Sequence, residues 1–119
     1  MQVISMDDIE GQINKRGIES KQLLKHDNAQ IMNLNLEPGD RIPPHSVPVN
    51  VFFYVISGSG TIRIGEDEAV VEEKDIVPCP PETEMSLSAD QGEDFSFLNV
   101  KTPVFRDTDK PPQSRFLGV

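Results

Sequence analysis

A chain of 119 residues with 20 acidic against 11 basic side chains carries a formal charge of −9, and no basic cluster interrupts it. Nucleic acid and anionic membrane are therefore excluded as expected partners, because both demand a positive face. With 10 prolines, 8 glycines and only 36% hydrophobic residues, short strands joined by turns are favoured over long helices, within one domain.

Met1 to Glu10 carries acids where a signal peptide has a basic region and an apolar stretch. Ser5 is a suitable N-cap, Asp8 stands three residues on, and Ile4 and Ile9 are placed for a hydrophobic staple. A short N-terminal helix of two to three turns is predicted, limited by Gly11 and Gly17. From Ser20 the pattern turns to strands. Lys21 to Lys25 is followed by the turn His26-Asp27-Asn28, and Ile31 to Leu36 sets Met32, Leu34 and Leu36 against Asn33 and Asn35. Glu37-Pro38-Gly39-Asp40 turns the chain. Val47 to Ile56 is the strongest strand, and Ser57-Gly58-Ser59-Gly60 is read as its end.

Thr61 to Ile64 and Glu68 to Glu72 follow, joined by Gly65-Glu66-Asp67. Glu73-Lys74-Asp75 then leads to Ile76-Val77 and the extended Pro78-Cys79-Pro80-Pro81. Met85 to Ser88 alternates, Ala89 to Asp94 is polar, and Phe95 to Val100 places Phe95, Phe97 and Asn99 on one face. This recurrence is the rhythm of a sandwich or barrel. No run reaches the ~18 apolar residues needed to cross a bilayer, so a cytoplasmic protein is expected. The division is an N-terminal arm over 1–19, a barrel over 20–102 and a proline-rich C-terminal extension over 103–119.

Lone residues are read as structural. His26 is a surface turn residue, and Cys79, the sole cysteine, is a buried, inert thiol in a reducing compartment. Tyr54 faces opposite to Phe53. Glu66-Asp67-Glu68 lacks the alternating oxygen spacing of a calcium loop.

Gly39 to Gly58 resembles the first cupin motif: glycine, five residues, His-any-His, three or four residues, glutamate, six residues, glycine. Gly39, His45 and Gly58 fit that spacing. Lys74 to Ala89 resembles the second motif, with Pro80 and Asp75 in place, and Phe52 to Gly60 is cupin-like in character. The resemblance implies an all-β, RmlC-like jelly-roll barrel, commonly a homodimer. It also implies four metal-ligand positions, which in this chain are His45, Val47, Val51 and Met85.

Valine has no donor atom and a thioether suits only soft metals, so no metal and no other cofactor is expected. Val47, Val51, Phe53 and Val55 share a parity, as do Met85 and Leu87. His45, Val47, Val51, Phe53, Met85 and Leu87 are the expected pocket, an apolar mouth with one imidazole. The expected role is metal-independent binding of a small molecule whose identity the sequence leaves open. The alternatives are a metal-independent isomerase, epimerase or lyase with His45 as acid/base, a barrel packed solid that acts through its surface, and a metal-dependent oxygenase or isomerase with unusual ligands.

Overall fold

The apolar alternation is realised almost wholly as strands in the computed structural model, which describes residues 1–104. The C-terminal extension expected from residue 103 lies, from residue 105 on, outside the described residues. A single 3-10 turn at Met6–Asp8 precedes β1 (Gln12–Ile13), β2 (Glu19–His26), β3 (Ala29–Leu36), β4 (Arg41–His45) and β5 (Asn50–Ile64). Then come β6 (Asp67–Glu72), β7 (Ile76–Cys79), β8 (Met85–Ser88) and β9 (Phe95–Thr102). No helix of the described residues is long and apolar enough to cross a membrane.

The N-terminal helix is shorter than its sequence suggests. Ser5 takes the extended N-cap backbone, but its side chain makes no capping bond and Ile9 is already extended. Without that bond nothing offsets the cost of nucleating further turns.

All eight pairings are antiparallel, and four of them involve β5. Its first half, Asn50 to Gly58, pairs with β9 and β7 in a layer that continues through β3 and β2 to β1. Its second half, Ser59 to Ile64, pairs with β6 and β8, and β4 extends that layer beyond β8. One strand thus serves both layers of the barrel.

Ser57-Gly58-Ser59-Gly60 therefore bends the strand instead of ending it, with a register shift between Val55 and Ser57. Gly58 holds φ +74°, and a Cβ there would sit 1.8 Å from the Asp94 carbonyl oxygen. At Gly60 a Cβ would meet the Phe95 ring at 2.3 Å. A corner where β9 crosses this closely admits only glycine.

Between the layers lie Leu36, Val51, Phe53, Val55, Ile62, Met85, Leu87, Phe95 and Phe97, all buried. Phe53 meets Phe97 edge-on at 5.8 Å, and Phe95 lies 4.9 Å from Phe97. Each such side chain contributes about 1.5–3 kcal/mol on burial. Asn33 and Asn35 face away from Leu34 and Leu36, and there they form a closed polar network. Asn33 Nδ2 donates to Ser96 Oγ (3.2 Å) and to the Phe97 carbonyl (3.1 Å). Asn35 Nδ2 donates to Glu19 Oε1 (2.8 Å) and Asn33 Oδ1 (2.9 Å), and Ser96 Oγ donates to Asn35 Oδ1 (2.6 Å).

Candidate functional site

Antiparallel order gives the barrel two distinct ends. β4 stops, β5 starts, β7 stops, β8 starts and β9 stops at one of them, here called the His45 end. β2 and β9 start and β3 stops at the other, the Glu19 end.

At the His45 end the register brings His45 opposite Met85, and Met85 opposite Ile64 on β5. Val51 stands opposite Cys79 on one side and Lys101 on the other. Val51, Phe53, Met85 and Leu87 are 3%, 0%, 1% and 2% exposed. They are packed against one another as a floor, and none of them lines an open chamber. Val47 lies not on the strand with Val51 but in the loop before it, since β5 starts only at Asn50. It still packs half-buried against the core, and its carbonyl accepts from the Glu82 amide at 2.8 Å.

His45 is exposed at the rim, with Nδ1 2.9 Å from the Pro43 carbonyl oxygen. A carbonyl can only accept, so Nδ1 carries the hydrogen and the neutral ring keeps its lone pair on Nε2. The ring is thereby oriented, with a free acceptor for a ligand.

The remaining candidates take structural places. His26 is exposed, and its Nδ1 accepts from the Asn28 amide at 3.1 Å. Cys79 is buried with Sγ 3.6 Å from the Pro80 and Thr83 carbonyls, and burial pushes its thiol pKa up. A thiol held protonated in this way is a poor nucleophile and a poor metal donor. Tyr54 points to the outer face, opposite Leu98 and Ile76.

A catalytic metal asks for about three imidazole or carboxylate ligands. Among the described residues no three His, Cys, Asp or Glu side chains come together to hold an ion. One imidazole beside a valine floor and a buried thioether does not fit such a metal. Within the stretch that resembles the second motif, Lys74 (φ 76°) and Glu82 (φ 62°) both take the left-handed backbone.

The alternation that buries Phe95 and Phe97 continues through Asn99 to Lys101, because β9 runs on to Thr102. Sequence reasoning had the parity but ended the strand at Val100, and so missed Lys101 and its neighbour Gln30 on β3.

At the Glu19 end a cleft of about 490 Å³ is lined by Glu19, Asn35, Glu37, Ser57, Asp94 and Ser96, among others. Nearby, Thr61 Oγ1 donates to both Asp90 oxygens (2.7 and 2.8 Å). The hydrogen bond from Gln91, and then that from Thr61, hold the Asp90 carboxyl below its ordinary value.

Comparison with known proteins agrees with this architecture. KdgF from a Halomonas species superposes with a TM-score of 0.80 at 16% identity, over 91% of this chain and 98% of that one. A predicted oxalate decarboxylase from Thermotoga maritima gives 0.78 at 21% identity, over 87% and 100%. The polyketide cyclase RemF from Streptomyces resistomycificus gives 0.76 at 17%, over 92% and 89%. At such identities the likeness concerns the fold, and one fold carries many chemistries. No curated protein matches. The family model described as a cupin domain matches residues 32–101, more than half of the chain, and the protein belongs to that family.

Proposed function

We propose that this cupin is a metal-independent binding barrel whose small-molecule ligand rests on the hydrocarbon floor at the His45 end. The observation that carries this reading is an oriented imidazole, held through Nδ1 by Pro43 at the exposed rim, with the half-buried Val47 beside it and Val51 and Met85 packed beneath, none of which offers a hard cation ligand. Because the floor is packed, the ligand sits above these side chains and not among them. The contact is shallow and depends on few polar groups, of which His45 Nε2 is one.

NMR signals of the Met85 and Val47 methyls and the His45 ring, followed against a library of small neutral fragments, test it. The expected result is saturable movement of all three by a subset of fragments, with binding weakened about tenfold in His45→Ala, as for one lost hydrogen bond of good geometry. A library that moves none of them overturns the reading in favour of a barrel acting through its surface.

The same Nδ1 contact also orients the ring as a general base must be oriented. Turnover of a bound molecule that His45→Ala abolishes, without loss of fold, would place the chain among metal-independent isomerases, epimerases or lyases.

A further inference from the structure

The alternation along β5 that turns Val51 and Phe53 into the core turns Phe52 and Tyr54 outward. Register extends this outer face to both sides. Tyr54 stands between Ile76 and Leu98, and Phe52 between Pro78 and Val100, which in turn faces Ile31 on β3. Over β7, β5, β9 and β3 these two rungs carry no charged side chain. Ile76 is 63% exposed and Phe52 38%, and Tyr54 and Leu98 are half-buried.

The outer face of an antiparallel sheet in water is ordinarily polar. The other layer of this barrel follows that rule. Its outer face sets Arg63 between Glu68 and Ser86, and Thr61 between Val70 and Ser88. The same barrel thus turns a polar face to one side and a hydrocarbon face to the other. A broad exposed apolar patch marks an interaction surface.

Its chemistry selects the occupant. Surfaces that meet a different protein transiently are about as polar as the rest of a protein, whereas interfaces between identical chains are richer in hydrocarbon. On a chain of net charge −9, a face without carboxylates is also where a second copy meets the least repulsion. Size adds a further requirement. Five strands about 4.8 Å apart and two rungs about 7 Å apart give a projected face of about 300–400 Å². A stable interface buries about 800 Å² on each partner. More hydrocarbon stands at the margin of the same face. Lys21, opposite Asn33 on β2, donates from Nζ to the Met6 carbonyl at 3.4 Å and fixes the base of the N-terminal arm there. Beyond Met6, Met1 and Val3 are 117% and 80% exposed and Ile4 is 40% exposed.

We propose that two copies of this chain pair about a twofold axis through the outer face of β7, β5, β9 and β3, each arm lying along the margin of its partner's face. The sheets pack face to face in the aligned manner of a β-sandwich. Ile76, Phe52, Tyr54 and Leu98 form the centre, and Val3 and Ile4 the border. None of these residues belongs to the site at the His45 end, so pairing and ligand binding stand or fall separately.

Sedimentation equilibrium of the full chain, over the micromolar range, tests it. The parent gives twice the chain mass. Ile76→Lys raises the dimer Kd about hundredfold or more, because a twofold axis brings the change into the interface twice. Val70→Lys makes the same change of charge at a position 61% exposed on the other layer and leaves the Kd unaltered. Val3→Ser combined with Ile4→Ser raises it about tenfold, as a border contact does. The far-ultraviolet circular dichroism of all three variants matches the parent, because the positions changed are exposed in the single chain.

A parent that stays monomeric throughout overturns the pairing and leaves residues 105–119 as the candidate cover for this face. A dimer that Ile76→Lys leaves intact, or that Val70→Lys weakens equally, overturns the choice of face. A dimer indifferent to the change at Val3 and Ile4 overturns the part given to the arm.

Discussion

At the His45 end of the barrel, hydrocarbon side chains fill the interior and one imidazole stands at the rim with bonding capacity unspent. At the Glu19 end the polar groups are more numerous and bind one another. Glu19, Asn35, Asn33 and Ser96 form one chain of hydrogen bonds, and Asp90 is held by Thr61 and Gln91. A cleft of about 490 Å³ lies at the Glu19 end, yet the free imidazole nitrogen lies at the other. The buried Asn99 Oδ1, an acceptor unmatched among the described residues, stands one rung from Asn33 on the opposite face of the sheet. The difference teaches that space alone does not mark a binding end. Unmet hydrogen-bonding capacity beside apolar surface is the more specific sign, because its cost to folding calls for a return elsewhere.

The sharpest way to break the comparison is to open the floor. Phe53→Ala removes a ring that is fully buried and stacked edge-on to Phe97. It should cost about 3–5 kcal/mol in chemical denaturation. A loss near zero would mean that the floor at the His45 end is loosely filled.

Next in size is the closed network toward the Glu19 end. Asn33→Leu, similar in volume, strips the bonds to Ser96 and Phe97 and should cost about 1–3 kcal/mol. Equal behaviour of Asn33→Leu and Asn99→Leu in urea would erase the distinction between satisfied and unsatisfied carboxamides.

A smaller effect of opposite sign is expected at the left-handed positions, of which Lys74 stands toward the Glu19 end and Glu82 at the His45 end. Replacing either by glycine relieves about 1–2 kcal/mol of backbone strain and forfeits about 0.5–1 kcal/mol through the looser unfolded chain. The net expectation is a gain of about 0.5–1 kcal/mol for each, read from the urea midpoint.

The smallest effect depends on pH. The folded-state pKa of Asp90 is depressed, by Gln91 first and Thr61 second. Its contribution is therefore present above the unfolded carboxyl value of about 3.9 and is lost as pH falls through the lower folded value. Asp90→Asn should flatten the acid limb of the stability curve in that window and leave its shape near neutrality unchanged. An identical acid limb in the variant would show that the carboxylate is not coupled to folding.

Much of this was legible in the sequence, and for a definite reason. Period-two alternation reports strand faces directly, so Leu34 and Leu36 could be set against Asn33 and Asn35, and Phe95, Phe97 and Asn99 aligned, without coordinates. Glycine is ambiguous by the same token. Gly58 and Gly60 look the same whether they end a strand or bend it, and only the Asp94 carbonyl and the Phe95 ring, supplied by β9, decide that they bend it.

Val47 reads as a strand residue only when parity is counted back past Asn50, where the strand starts. The pairing of His45 with Met85 across β4 and β8 has no signature in alternation and came only from motif spacing. Lys101 is hidden because a lysine two residues before Pro103 reads as the edge of a loop. The ladder with Gln30 and Val51 carries the strand through it.

The central claim is that hydrocarbon side chains occupy the positions where a cupin would hold a cation. Elemental analysis of tag-free protein, equilibrated in turn with manganese, iron(II), nickel and zinc salts and then desalted, tests it most directly. The account predicts substoichiometric retention of every metal, unchanged by His45→Ala. A stoichiometric ion that stays with the chain and is lost in His45→Ala would contradict it.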